Sequence, residues 1–301
     1  QQFLDRLIFI RTMEDRGIEP NQLRALVRQY EQKRGRDKNL FRDLLALFRE
    51  MDAIYNSNLF ARSQLDLLEI HDDDLLAKII RGLYDVPNSF NTFDFSAISA
   101  DVLGAIYEQY LGFKAQDPLG KDAVDPRKQQ KRKSQGIYYT PQFVVRYIVG
   151  QTLGRRLEQL RDDPAAAHRL RVLDPACGSG SFLIEAFDAL DRHFEQFGDS
   201  VDQQFPRQRR QRILQDNLFG VDLDPQAVEV TRLNLALRAA LSRDRLPLLT
   251  HIQYGNSLID DPAVAGEAAF RWDERFPDVM RDGGFDVVIG NPPYVRIQTL
   301  P

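Results

Sequence analysis

Asp174-Pro-Ala-Cys-Gly-Ser-Gly-Ser-Phe182 is the stretch that decides how this chain folds. A short apolar run at 170–173 leads into it, and an amphipathic stretch from 181 to about 197 leads out. The order is strand, glycine turn, helix. Glycines in such a turn let the backbone approach a ligand closely, because no Cβ stands in the way. The free N–H groups of a helix start favour polar or anionic ligand atoms. Toward the C-terminus, further apolar runs at 218–221, 251–254 and 285–289 read as strands, with a helix from Pro225 to about residue 241. Alternating strands and helices predict a parallel sheet with right-handed crossovers. The last run is apolar almost throughout, as suits a strand covered on both faces.

Toward the N-terminus the pattern changes. Leu23, Leu26, Val27 and Tyr30 recur at helical spacing, as do Phe41, Leu44, Leu45, Phe48 and Met51. Leu75, Leu76, Ile79, Ile80 and Leu83 form a third stripe, and Val102, Leu103, Ile106, Tyr107 and Tyr110 a fourth. Asp72 to Asp74 supply a cap and favourable charge for the third helix. Residues 1–116 therefore read as a helical scaffold. Residues 117–136, with Lys121, Arg127, Lys128, Lys131, Arg132 and Lys133 but no apolar period, read as a basic linker or loop. It is either a solvated charge run or a phosphate-contacting loop. A chain of 301 residues with 43% hydrophobic and 28% charged residues excludes disordered and fibrous classes. No run reaches the ~20 apolar residues of a membrane helix. The single cysteine, Cys177, excludes an internal disulfide and points to a reducing compartment. No base stands near it in sequence, so it reads as a packing residue.

Four other segments carry polar groups at strand ends. In Gly220-Val-Asp-Leu-Asp-Pro225, Asp222 ends a strand where nucleotide sites place an acid on the ribose hydroxyls. It lies well beyond the ~20 residues after the glycines that a NAD site uses. Asp224 reads as a helix cap, with Pro225 in the first turn. In Asn291-Pro-Pro-Tyr294, the prolines stiffen the backbone and keep their carbonyls as acceptors. Asn291 adds an amide oxygen and Tyr294 an aromatic face. Acceptors beside a stacking ring suit a planar group bearing an NH2. In Gly136-Ile-Tyr-Tyr-Thr-Pro141, Thr140 is expected to cap a helix that Pro141 begins. In Gly255-Asn-Ser-Leu258, Asn256 has the groups to meet a base edge. There is no metal-ligand cluster.

Together these segments resemble the adenine-specific DNA methyltransferases of the Eco57I-like, type IIG restriction–modification group. The resemblance covers about residues 135–295. The start from Phe3 to Arg16 resembles the helical region that precedes such domains. It implies an α/β fold with a doubly wound, mostly parallel, Rossmann-like sheet truncated after its fourth strand and preceded by an all-α domain. The expected strand order begins 3-2-1-4, with residues 137–301 as the methyltransferase domain. It implies S-adenosylmethionine held by Asp174, Pro175, Ala176, Gly178, Gly180 and Phe182, helped by Tyr138, Thr140 and Pro141. Asp222 and Leu223 would meet the ribose, and Asn256 and Ser257 the cofactor adenine. Asn291, Pro292, Pro293 and Tyr294 would form the catalytic motif. The implied substrate is the N6 amino group of an adenine flipped from double-stranded DNA, and the implied setting a prokaryotic cytoplasm.

The same Asn-Pro-Pro-Tyr chemistry occurs in methyltransferases acting on protein glutamine, and RNA is a further alternative substrate. A catalytically silent DNA-binding subunit is a third reading. Glu31-Gln-Lys33 spells a nuclease E-x-K but lies on a helical stripe without a strand. Without further strands the run at 285–289 would be an exposed edge. A longer polypeptide is therefore expected, with the rest of the sheet, a target recognition domain and a possible nuclease.

Overall fold

The computed structural model describes residues 2–33, 38–56, 59–67, 72–98, 140–197 and 205–292. The fourth apolar stripe, the basic segment 117–136, Tyr138, Pro293 and Tyr294 lie outside these residues. The chain forms two compact units. One contains residues 1–99 and 236–249, the other 100–235 and 250–301.

The first unit is helical. Its helices are α1 (Gln2–Asp15), α2 (Gln22–Gln32), α3 (Leu40–Tyr55) and α4 (Asp73–Gly82). Helix α1 is buried nearly all round, with Leu7, Phe9, Ile10 and Met13 in the core and Asp5, Arg6, Arg11 and Glu14 buried beside them. Such a helix shows little amphipathic signal because it has no solvent face. The stripes on α2 and α3 bury largely as the spacing predicts: Leu23, Val27 and Tyr30, then Phe41, Leu44, Phe48 and Met51. On α4 the buried edge is Leu76, Ala77 and Ile80, while Leu75 and Ile79 face outward. Asp72 caps α4 by accepting from the Leu75 N–H at 2.8 Å. Segment 236–249 joins this unit through the Leu246 N–H, which donates to the Tyr55 carbonyl, and through Arg243, which pairs with Glu19 and Glu50. Of the E-x-K residues, Glu31 pairs with Arg81 and Lys33 with Asp43 on the surface.

The second unit is built on a four-stranded parallel sheet in the order β3-β2-β1-β4. The strands are β1 (Val172–Asp174), β2 (Leu218–Asp222), β3 (Ile252–Tyr254) and β4 (Val287–Val288). This is the expected order. The chain moves outward from β1 through β2 to β3, then returns to the other side of β1. Helix α5 (Gln142–Val149) precedes the sheet and continues through a π-helical turn, Gly150–Gly154. Helices α6 (Ser181–Phe197), α7 (Phe205–Arg212) and α8 (Pro225–Ala239) lie between the strands. Arg209 and Arg210 both reach Asp191, fastening α7 to α6 at 2.6 and 2.9 Å. Leu173, Phe219 and Val221 of the sheet pack with Phe270, Phe276 and Val279 from the β3–β4 connection, with Trp272 and Phe285 beside them. No described helix is long and apolar enough to cross a membrane.

Candidate active site

Because all four strands are parallel, the turns leaving their carboxyl ends share one rim. The order reverses at β1 and β4, and at such a switch point the two outgoing loops open a crevice. The loop after β1 is the glycine turn and the loop after β4 begins at Gly290. Register pairs Val172 with Val287 and Leu173 with Val288, and the Ile289 N–H donates to the Leu173 carbonyl at 2.8 Å. The two motifs therefore leave neighbouring strands side by side.

Gly178 has φ +54° and Gly180 φ +88°, left-handed conformations that disfavour any residue with a Cβ. The Gly178 N–H donates to Asp222 Oδ2, and the Asp224 N–H to Asp222 Oδ1, both at 2.8 Å. Asp222 thus ties the end of β2 to the glycine turn. Burial pushes its carboxyl pKa upward against these bonds. Asp224 accepts from the Gln226 N–H at 2.8 Å, the expected cap of α8. The Cys177 side chain is buried, and burial pushes its thiol pKa upward, which disfavours the thiolate.

Asp174 is fully buried at the end of β1. Its Oδ1 accepts from the Ala176 N–H at 3.1 Å, and its Oδ2 meets no donor among the described residues. Burial pushes its pKa up to about 7, opposed by the Ala176 N–H and reinforced by the Asp222 carboxylate. A buried carboxylate oxygen without a donor is costly. It fits a ligand that brings a cation or a hydrogen-bond donor.

Gly290 lies against the same carboxylate: a Cβ built there would come 2.7 Å from Asp174 Oδ1. That contact presses the approach to Asn291 onto the floor of the glycine turn. The Asn291 amide Nδ2 donates to Thr140 Oγ1 at 3.1 Å. The expectation that Thr140 caps α5 is corrected here. Pro141 holds the cap position and makes no side-chain cap hydrogen bond. The Thr140 hydroxyl instead accepts from Asn291, and the residue before a proline is held extended, outside the helix. Pro292 is exposed and carries the chain onward.

On the other side of Asp222, its carbonyl accepts from the Gly255 N–H at 2.9 Å, which brings the Gly255–Leu258 turn next to it. Asn256 closes that turn by accepting from the Leu258 N–H at 3.1 Å. The Ser257 carbonyl accepts from the Trp272 indole at 3.3 Å. Leu223 and Leu258 are strongly exposed beside these polar groups. Among the described residues no group of three acids, histidines or cysteines is placed to hold a metal.

Sequence reading missed three residues of this site: Gly290, Thr231 and Asn234. The Thr231 hydroxyl donates to the Gly178 carbonyl at 2.8 Å, and the Asn234 amide to the Ser179 carbonyl at 2.9 Å. A signal existed for the last two. Both are poor helix formers, three residues apart in the interior of α8, and both are fully buried.

Residues 216–301 match the family of Eco57I restriction-modification methylases, and residues 165–243 match an RMKL-like methyltransferase domain. The chain is 31% identical to the type II restriction enzyme and methyltransferase RM.Eco57I of Escherichia coli, an alignment covering 100% of this chain and 31% of that protein. It is 30% identical to the adenine-specific methyltransferase PglX of Streptomyces coelicolor over 56% of this chain and 15% of that protein. Among solved structures, the type IIL restriction-modification enzyme MmeI, determined in complex with DNA, superposes with a TM-score of 0.54 at 15% identity, covering 98% of this chain and 40% of that one. The chain thus spans about a third or less of the length of these two curated relatives.

Proposed function

From this kinship with the Eco57I-like restriction–modification methyltransferases, we propose that the chain is the cofactor-binding part of an enzyme that methylates DNA adenine at N6. The setting is a restriction–modification or phage-defence system in the cytoplasm of a prokaryotic cell. In this reading residues 1–116 are a scaffold, 117–136 a basic linker and 137–301 the methyltransferase domain. The single observation carrying it is the adjacency of the glycine turn and Asn291, which leave the paired strands β1 and β4 so close that a Cβ at Gly290 would run into Asp174.

S-adenosylmethionine, when bound, supplies an electrophilic methyl on a sulfonium. Asp174 suits its cationic amino-acid end, since Oδ2 has no donor among the described residues. The turn at Pro175, Ala176, Gly178 and Gly180, with Phe182 behind it and Tyr138, Thr140 and Pro141 alongside, would surround that end. Asp222 has lone pairs left beyond the two it gives to backbone N–H groups, and with Leu223 it would meet the ribose diol. Asn256 and Ser257 would face the cofactor's adenine.

The acceptor is an aromatic amine, a poor nucleophile because its lone pair is delocalised into the ring. With the Asn291 NH2 end turned to Thr140, its Oδ1 lies at the opposite end of the amide and would accept from the target amino group. The Pro292 carbonyl would accept the second hydrogen, and Pro293 would keep that backbone stiff. Two acceptors favour a pyramidal nitrogen with a localised lone pair, a matter of orientation and electrostatics rather than of a strong base. Tyr294 would stack on the flipped base, worth ~1–3 kcal/mol by analogy with single-strand binders.

The test is transfer of labelled methyl by the full-length protein to unmodified double-stranded DNA, read as N6-methyladenine after digestion. Asn291→Ala should lower the rate at least about a hundredfold while leaving cofactor affinity within a few-fold. Label in protein and none in DNA would overturn the reading.

A further inference from the structure

Thr231 and Asn234 stand one helical turn apart on the buried side of α8, beneath the glycine turn. Each holds a carbonyl of that turn: Thr231 Oγ1 donates to Gly178 O at 2.8 Å, and Asn234 Nδ2 to Ser179 O at 2.9 Å. All peptide bonds described are trans. In a trans peptide the carbonyl and the following N–H point in opposite directions. Fixing the Gly178 carbonyl toward α8 therefore aims the Ser179 N–H away from α8. Fixing the Ser179 carbonyl does the same for the Gly180 N–H, which donates to the Cys177 carbonyl at 2.8 Å. The Ser179 N–H finds no acceptor among the described residues.

The packing carries the same message. A Cβ at Gly180 would come 3.0 Å from both Thr231 Cγ2 and Oγ1, so the threonine also sets how closely the turn lies on the helix. Asn234 Oδ1 is buried without a donor among the described residues. For stability alone an apolar residue would be the cheaper occupant. Its presence makes sense through the one bond it gives the turn.

We propose that Thr231 and Asn234 are positioning residues that aim the Ser179 N–H at the carboxylate of the cofactor's amino-acid end. This rests on the reading of the crevice as an S-adenosylmethionine pocket. It predicts a loss confined to ligands that carry that end. In the full-length protein, calorimetry would compare S-adenosylhomocysteine, which has the amino-acid end, with 5′-methylthioadenosine, which lacks it. Thr231→Val should weaken S-adenosylhomocysteine about tenfold, the scale of one hydrogen bond to a charged group, and leave 5′-methylthioadenosine unchanged. Thr231→Ser, which keeps the hydroxyl, should stay within about threefold of wild type for both. Asn234→Leu should repeat the selective loss. Equal weakening of both nucleosides, undiminished S-adenosylhomocysteine binding, or a serine variant no better than valine would each overturn the proposal. If the unaltered protein bound neither nucleoside, the pocket reading itself would fall and take this role with it.

Discussion

Glu14 in the helical unit and Asp174 in the sheet unit are both cut off from water, and their surroundings differ. Glu14 accepts from the Leu23 N–H at 2.9 Å and from the Tyr84 hydroxyl, with Arg11 close by. Burial raises its pKa, and all three partners pull it back down. Its neighbour Glu19 accepts from Tyr55, Gln22 and Arg243. Asp174 accepts from one backbone N–H, and the charge that acts on it is another carboxylate, Asp222. A buried charge that serves the fold is surrounded by donors. Asp174 keeps an oxygen without a donor among the described residues, which costs stability and, in the proposed reading, is kept for a ligand.

The contrast can be tested by removing each carboxylate. Glu14→Ala should cost about 2–5 kcal/mol of unfolding free energy, because it leaves the buried Tyr84 hydroxyl and the Leu23 N–H without their acceptor; denaturant unfolding measures it. Asp174→Asn should leave the melting temperature unchanged or higher, yet weaken the cofactor by about tenfold or more. A large loss of stability from that second change would erase the distinction. Gly290→Ala comes next, since a Cβ there must displace the carboxylate or the loop. Overpacking of this kind costs about 1–3 kcal/mol, and methyl transfer should fall further than cofactor affinity, seen as kcat against KM.

The smallest effect is a proton. A carboxyl whose folded pKa is raised to about 7 binds its proton more tightly folded than unfolded. It therefore lowers stability as pH rises from the ordinary carboxylate range to about 7, and no further above that. A ligand cation beside it favours the ionised form. Cofactor binding should then release up to about one proton near pH 6 and almost none above pH 8. Calorimetry in buffers of different ionisation enthalpy reads that number, and release that does not vary with pH would separate Asp174 from the ligand.

Local chemistry made much of this legible in advance. The glycine turn, the four apolar runs, and the starts of α6 at Ser181 and α8 at Pro225 are written in consecutive residues. So is the Asp72 cap. The resemblance carried the strand order. What stayed hidden depends on residues far apart in the chain. Thr140 looks like a helix cap because threonine before proline usually is one, and only the arrival of Asn291 redirects its hydroxyl. Helix α1 shows no stripe because it has no face turned to water. Gly290 looks like the end of a strand until Asp174 is set beside it.

That last contact also bears on how such a sequence can drift. Position 290 can gain a side chain only if position 174 shortens or swings aside, so a change at 290 depends on one at 174. Across diverged copies of this chain, a side chain at position 290 should appear only where position 174 has already changed.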